Sequence, residues 1–325
     1  IAGIASLAFV VVAGQVSYGA KLGFTIGGIS IQPSELVKII FVFFVASSFK
    51  KSLEFKNIVI TTALAAFHVL ILVVSKDLGA ALIIFVVYLA MLYVATHQPL
   101  YILAGLGAGS VASVGAYYLF NHVRTRVIVW KDPFASYDNG GYQVAQSLFA
   151  IGTGGWFGMG LYQGMPDQIP VADEDFIFSA ISEELGLIFA LCTILICVSC
   201  YIMFLNIAMQ LHNMFYKMVA LGLGTCYIFQ VFLNIGGVTK FIPSTGVTLP
   251  LVSYGGSSLL STLIMFAIIQ GLYILREDEE EDIERKKKER LRAKRSGQEN
   301  KKRARKAADV PERAQRSQPK RQAQG

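Results

Sequence analysis

Residues 57–95 read NIVITTALAAFHVLILVVSKDLGAALIIFVVYLAMLYVA: two apolar runs, 57–75 and 79–95, parted only by Lys76, Asp77 and Leu78. An α-helix rises 1.5 Å per residue, so each run makes a helix roughly 25–30 Å long, about the thickness of a bilayer's hydrocarbon core. A helix on a water-soluble domain carries a polar face with a 3.6-residue period. These runs are apolar nearly all round, and their link is a short polar turn. The stretch therefore reads as two antiparallel helices crossing a membrane, and the fold class as an all-α polytopic membrane protein.

Six further stretches read the same way: 1–16, 34–49, 99–120, 179–206, 215–238 and 255–275. That makes about eight spans. Composition agrees, since 54% of the 325 residues are hydrophobic and 16% charged, whereas a soluble domain has about 45–50% and 25%. Residues 276–325 hold 18 of the 29 Lys+Arg and 11 of the 22 Asp+Glu, so residues 1–275 are neutral and the whole +7 sits in the tail. Two regions follow, a membrane domain over 1–275 and a charged tail over 276–325. In the tail an acidic block precedes a basic one. Pairs such as Glu281–Arg285 and Glu284–Lys288 suit a helical start, and the Pro, Gln, Ala and Arg content further on suits disorder. The chain opens at Ile1 inside an apolar run, without Met, a basic n-region or a small-residue cleavage site. It reads as an N-terminally truncated chain rather than one with a signal peptide. Cys192, Cys197, Cys200 and Cys226 all lie in apolar runs and read as small helix residues.

Basic segments flank membrane spans on the cytoplasmic side, which places the tail inside. Walking back span by span puts 239–254 outside, 207–214 inside, the long segment 121–178 outside and 75–78 outside. It puts 50–56, KKSLEFK with its three lysines, inside. That last placement is an independent check. The loop 17–33 then faces outside as well.

On this topology the ionisable residues gather at the outer face. Ionisable side chains in or beside spans are costly and mark function by default. Gln32-Pro33-Ser34-Glu35 opens a helix with Pro in its first turn, and Glu35 and Lys38 stand i,i+3 on one face, either as an internal ion pair or as site residues. Asp77 reads as a helix N-cap or a site residue. The outer loop carries Arg126 and ends in Asp173-Glu174-Asp175, three carboxylates whose mutual repulsion raises at least one pKa into the range a general base uses; N-capping by Asp175 is the alternative. The stretch 142–151 has helical periodicity and suits the membrane interface. Residues 239–258, with two prolines and three glycines, read as a re-entrant or tightly turned segment, where Lys240 either meets an anion or snorkels. The four histidines show no metal-ligand spacing, and no nucleotide-binding motif is present.

Taken in order, QPSELVK at 32–38, DLG at 77–79, DP at 132–133, GYQVAQSLFAIGTGGWFGMGL at 141–161, DFIFSAISEELG at 175–186 and NIGGVTKFIPSTGVTLPLVSYGGSS at 234–258 resemble one family. It is the shape, elongation, division and sporulation (SEDS) family, the FtsW/RodA/SpoVE-like peptidoglycan polymerases. The resemblance implies ten membrane helices, of which the eight seen are the third to tenth. It implies a glycosyltransferase that polymerises lipid II into glycan strands at the outer face of the bacterial cytoplasmic membrane, in division or in elongation and shape. It implies Asp175 as general base. The residues expected at the substrate are Lys21, Glu35, Lys38, Asp77, Arg126, Lys240, Ser253 and Ser257. Implied partners are lipid II, undecaprenyl-linked glycan, a class B penicillin-binding protein and other divisome or elongasome membrane proteins; a nucleic acid is not among them. The chain departs from the family in having Asp173-Glu174 where many members have His-Thr. That extra charge favours a divalent cation, Mg or Mn, at Asp173, Glu174 and Asp175. It also has Lys21-Leu22-Gly23-Phe24 where many members have a basic-Trp pair, and Lys240 where many have Gly. A flippase for lipid-linked precursors is the alternative function, and the chemically plain inner loops weigh against it.

Overall fold

The computed structural model describes residues 3, 7, 15–17, 20–26 and 29–316. The chain divides into two compact units, Ile1–Tyr273 and Ile274–Gly325. The first is built from helices α1 (Pro33–Lys51), α2 (Phe55–Val74), α3 (Leu78–Thr96), α4 (Pro99–Leu119), α5 (Asn121–Lys131), α6 (Tyr142–Gly154), α7 (Ile177–Gln210), α8 (Met214–Val238) and the start of α9 (Gly256–Arg316). Seven of these fall on expected spans. Six of the seven, α2, α3, α4, α7, α8 and α9, are long and apolar enough to cross a membrane. The seventh, α1, has Glu35, Lys38, Lys50 and Lys51 in its 19 residues. The expected first span, 1–16, lies almost wholly outside the described residues.

Helix α1 packs inside the bundle. Phe41, Val42, Val45, Ala46 and Phe49 on it are all buried, and α2, α3 and α8 pack around it. Helix α8 is buried along most of its length, with Met218, Val219, Ala220, Leu223, Cys226 and Tyr227 sealed from the surface. In contrast, no residue of α4 is buried. Burial of Glu35 and Lys38 is what allows α1 to carry charge inside the bundle, because neighbouring helices rather than lipid surround those groups.

The described residues of the loop expected over 17–33, with the two residues before it, form a three-stranded meander. Strands β1 (Gln15–Ser17), β2 (Ala20–Ile26) and β3 (Ile29–Ile31) pair antiparallel in that order, with Val16 opposite Lys21 and Thr25 opposite Ser30. Gln15 and Val16, read from sequence as the end of a helix, are therefore strand residues.

Helix α7, expected as one uninterrupted span, is broken at Gly186, whose backbone adopts φ 81° and ψ 174°. A break inside a helix leaves carbonyls and amides without partners, and the preceding loop supplies them. Met159 N donates to Glu183 O at 2.9 Å and Gly160 N to Glu184 O at 3.0 Å; Leu187 N donates to Gly155 O at 2.9 Å and Ile188 N to Trp156 O at 3.3 Å. A Cβ at Gly186 would collide with the backbone of Gly158. The glycine is therefore required both by its left-handed φ and by the close approach of the loop.

Helix α6 covers the expected helical stretch 142–151 and packs on α7 and α8. Ser147 Oγ lies 2.7 Å from Ser179 Oγ and donates to Val238 O at 2.9 Å. In the second unit the helix continues to Arg316, further than expected, consistent with the high helix propensity of Glu, Lys, Arg and Ala. There Lys288 Nζ sits 3.3 Å from Glu284 Oε2.

Candidate active site

The site assembles where α1 and α3 begin, where α7 begins, and where the segment between α8 and α9 crosses them. Asp77 caps α3 by accepting from Ala80 N at 3.0 Å through Oδ1. Its Oδ2 accepts from Ser34 Oγ at 2.8 Å and from Gln32 Nε2 at 3.3 Å. One carboxylate thus ties the starts of two helices together. Deeper in the bundle, Lys38 is 1% exposed. Its Nζ donates to Glu35 Oε1 at 2.9 Å and to Gln230 Oε1 of α8 at 2.7 Å. Ser261 of α9 donates to Glu35 Oε2 at 2.8 Å. Gln230 Nε2 in turn donates to Thr248 O at 3.1 Å, and Thr248 Oγ1 lies 2.6 Å from Ser258 Oγ. A buried ion pair is tolerated when further hydrogen bonds support it; here Gln230 takes a second Lys38 proton and Ser261 serves the second Glu35 oxygen.

The segment 239–255 is held from three sides. Arg126 of α5 donates to Ser244 O at 2.6 Å, and the Trp130 indole donates to Lys240 O at 3.1 Å. Asn234 of α8 uses its amide to donate to Val247 O at 2.7 Å and to Asp175 O at 2.8 Å. Tyr254 N donates to Asp173 O at 2.8 Å. Gly246, at φ 71°, is where the charged groups meet: a Cβ there would lie 3.2 Å from Asp175 Oδ2 and 3.7 Å from Arg126 Nη2. Burial pushes the Asp175 carboxyl up to about 6, the negative charges of Glu174 and Asp77 push the same way, and the Arg126 guanidinium opposes them. Burial likewise raises the Glu174 carboxyl, helped by Asp173. Arg126 is lowered by burial and supported by Asp175 and Asp77.

The structure brings Asp175, Arg126 and Asp77 into one electrostatic neighbourhood, with the Glu35–Lys38 pair beneath them. Lys240 is half-exposed at a left-handed φ of 60°, and its carbonyl holds Trp130. Ser253 and Ser257, expected at the substrate, have their hydroxyl oxygens engaged within the protein. Ser253 Oγ accepts from Leu249 N at 2.7 Å and Ser257 Oγ from Gln32 N at 2.9 Å. Lys21 lies in β2 and its side chain is outside the described residues. Among the described residues no three His, Cys, Asp or Glu side chains gather as a metal-ligand set. Asp173, Glu174 and Asp175 are adjacent in sequence without converging, so they do not fit the divalent-cation site expected there. Sequence reasoning passed over Gln230, Asn234 and Ser261. The signal for the first two was present, as polar residues one helical turn apart inside an apolar span.

The chain matches the family described as cell cycle protein, FtsW/RodA/SpoVE, over residues 1–277. It is 40% identical over 271 residues to peptidoglycan glycosyltransferase RodA of Mycobacterium tuberculosis, covering 77% of this chain and 57% of that protein. It is 34% identical over 274 residues to the probable peptidoglycan glycosyltransferase FtsW of Geobacter metallireducens, covering 81% and 72%. The chain thus spans a little over half the length of the mycobacterial relative. Among solved structures it superposes on a chain of a peptidoglycan synthase complex that coordinates polymerization and crosslinking, with a TM-score of 0.71 and 26% identity over 85% of this chain and 79% of that one. It also superposes on RodA of Thermus thermophilus, with a TM-score of 0.62 and 23% identity over 85% and 76%, which speaks to the fold. With a family match over residues 1–277 and a helical membrane bundle of the same architecture, the chain belongs to the FtsW/RodA/SpoVE family of cell cycle proteins.

Proposed function

We propose that this chain is the membrane part of a peptidoglycan glycosyltransferase that polymerises lipid II. The observation that carries the reading is Asp175, a half-buried carboxyl pushed up to about 6 and set beside Arg126 at the backbone of Gly246. The Asp175 carboxylate takes the proton from the acceptor sugar hydroxyl. The oxygen so exposed attacks the anomeric carbon of the donor, and the bond from that carbon to the polyprenyl diphosphate breaks. Arg126 lies where it offsets charge on the leaving diphosphate. General-base assistance of this kind is worth about 10²–10⁴-fold, and holding two membrane-bound reactants in register supplies about 7–11 kcal/mol more.

In the same reading the site faces outward across the bacterial inner membrane, with the charged tail cytoplasmic. A class B penicillin-binding protein receives the strands. The named relatives are glycosyltransferases, which supports this reading over transport of the lipid-linked precursor.

The test is lipid II polymerisation by the purified full-length protein with and without such a partner, set against Asp175→Ala. Glycan strands from the parent and none from the variant are expected. Normal polymerisation by the variant would remove Asp175 from the mechanism.

A further inference from the structure

The loop leading into α7 carries large apolar side chains with no protein cover. Trp156, Phe157, Met159, Leu161, Tyr162 and Met165 are all exposed, Phe157 at 83% and Tyr162 at 91%. No charged residue occurs between Gly155 and Pro166. A patch of this kind is not left in water by a stable protein without a reason.

The backbone of this loop is fixed in depth. The hydrogen bonds from Leu187 N and Ile188 N to Gly155 O and Trp156 O set the loop beside residues 187–188 of α7. At that level α7 changes character. Glu183 and Glu184 are its last charged residues, and none follows through Gln210. From there Leu187, Ile188, Phe189 and Leu191 are all exposed on the helix surface, as lipid-facing residues of a span are. The 24 residues from Leu187 to Gln210 make about 36 Å of helix. The hydrocarbon core therefore begins close to Leu187, and the loop lies at that boundary.

We propose that residues 156–165 are a membrane-interface anchor, with Trp156, Phe157, Leu161, Tyr162 and Met165 inserted at the boundary between head groups and acyl chains. Aromatic residues concentrate at this depth because the ring is apolar and its edge or hydroxyl is wet. Irregular backbone is tolerated beside the hydrocarbon when its polar groups are paired, and five amides of this loop are paired within the protein. Besides Met159 and Gly160, whose amides bond to α7, Gly158 N donates to Gly154 O at 2.8 Å, Gln163 N to Gly160 O at 3.1 Å and Tyr162 N to Glu184 Oε1 at 3.2 Å. Lipid is favoured over a protein as the occupant because the patch is at the same level as the lipid-facing start of α7's uncharged stretch. The anchor would fix the height of the loop from which the chain descends to Asp175.

The test is spin-label depth measurement on the full-length protein alone in lipid nanodiscs, with Cys192 and Cys200 replaced. Labels go at Phe157→Cys and Tyr162→Cys, with Ile188→Cys and Ile196→Cys as references on α7 and Asp167→Cys as the aqueous reference. Labels at 157 and 162 are expected to favour lipid-dissolved oxygen over an aqueous nickel chelate, at a depth matching 188 and shallower than 196. A reading like that at 167 overturns the proposal, and so does shielding from both reagents, which would mark a protein cover. Brominated acyl chains provide a label-free second reading. They should quench the emission of the Trp130→Phe protein more than that of the Trp156→Phe protein, and equal quenching of the two counts against the anchor. Neither measurement depends on catalysis, so a failure of the polymerase reading leaves both results standing.

Discussion

The side-chain amide of Asn234 holds the backbone carbonyl of Asp175 at 2.8 Å and, with the same nitrogen, that of Val247 at 2.7 Å. One helix residue thereby sets the spacing between the loop that carries the carboxylate and the segment that carries Gly246. Replacing Asn234 with Ala leaves two carbonyls without their donor, at a cost of about 1–3 kcal/mol each if they stay dry. The Asn234→Ala protein is expected to melt at a lower temperature in detergent. Its rate of strand synthesis should fall at temperatures where it is still folded.

Asp175 gives a pH limb. As a base it works only when ionised, so with its carboxyl pushed up to about 6 the polymerisation rate should fall as pH drops through about 6. The stability effect has the opposite sense. A carboxyl raised above its ordinary value makes ionisation costly to the folded state, a cost absent below about pH 4 and complete above about pH 6. Asp175→Asn is therefore expected to abolish synthesis while raising the melting temperature at pH 7.5. A variant less stable than the parent at that pH would contradict the assignment.

Glu174 raises the Asp175 carboxyl through its own negative charge. Glu174→Gln should therefore move the acid limb of the rate toward lower pH and leave the plateau rate near that of the parent. A pH–rate profile of the two proteins, measured side by side, decides it.

The Glu35–Lys38 pair is sealed from solvent, with Nζ–Oε1 at 2.9 Å. Removing one partner strands the other, and breaking such a pair costs about 3–5 kcal/mol. Lys38→Met alone is expected to reduce sharply the yield of monodisperse protein. Lys38→Met combined with Glu35→Gln should recover much of it, as judged by size-exclusion profiles.

Gly186→Ala places a methyl against the Gly158 backbone at a left-handed φ. At φ 81° and ψ 174° the backbone lies in a region essentially reserved for glycine, so the conformational cost alone is about 1–3 kcal/mol, and the collision adds to it. Protease cutting within residues 155–165 should accelerate in this variant, because displacing Gly186 from Gly158 disrupts the four backbone hydrogen bonds that fix the loop to α7.

Helices were legible wherever an apolar run was bounded by charge or Pro, and the limits of α2, α3, α4 and α8 fall within two residues of those read from sequence. The break in α7 was not legible, because one glycine in a helical pattern is ordinarily tolerated and its loop partner lies some 30 residues away. The β2–β3 pairing carried a signal that was passed over: Gly27-Gly28 between Ile26 and Ile29 is hairpin chemistry. In the site, the Asp77 cap and the i,i+3 pair of Glu35 with Lys38 follow from local spacing. Gln230 does not, because it meets Lys38 across 192 residues of sequence, and only the packed bundle brings them together.

Gly246 gives the site a gauge. Where any other residue would place a carbon, this position leaves a gap of one atom beside the Asp175 carboxylate and the Arg126 guanidinium. A single atom placed there would lie 3.2 Å from Asp175 Oδ2 and 3.7 Å from Arg126 Nη2, beside an acceptor and a cation at once. On the polymerase reading proposed above, the missing methyl would decide what reaches both charged groups at once.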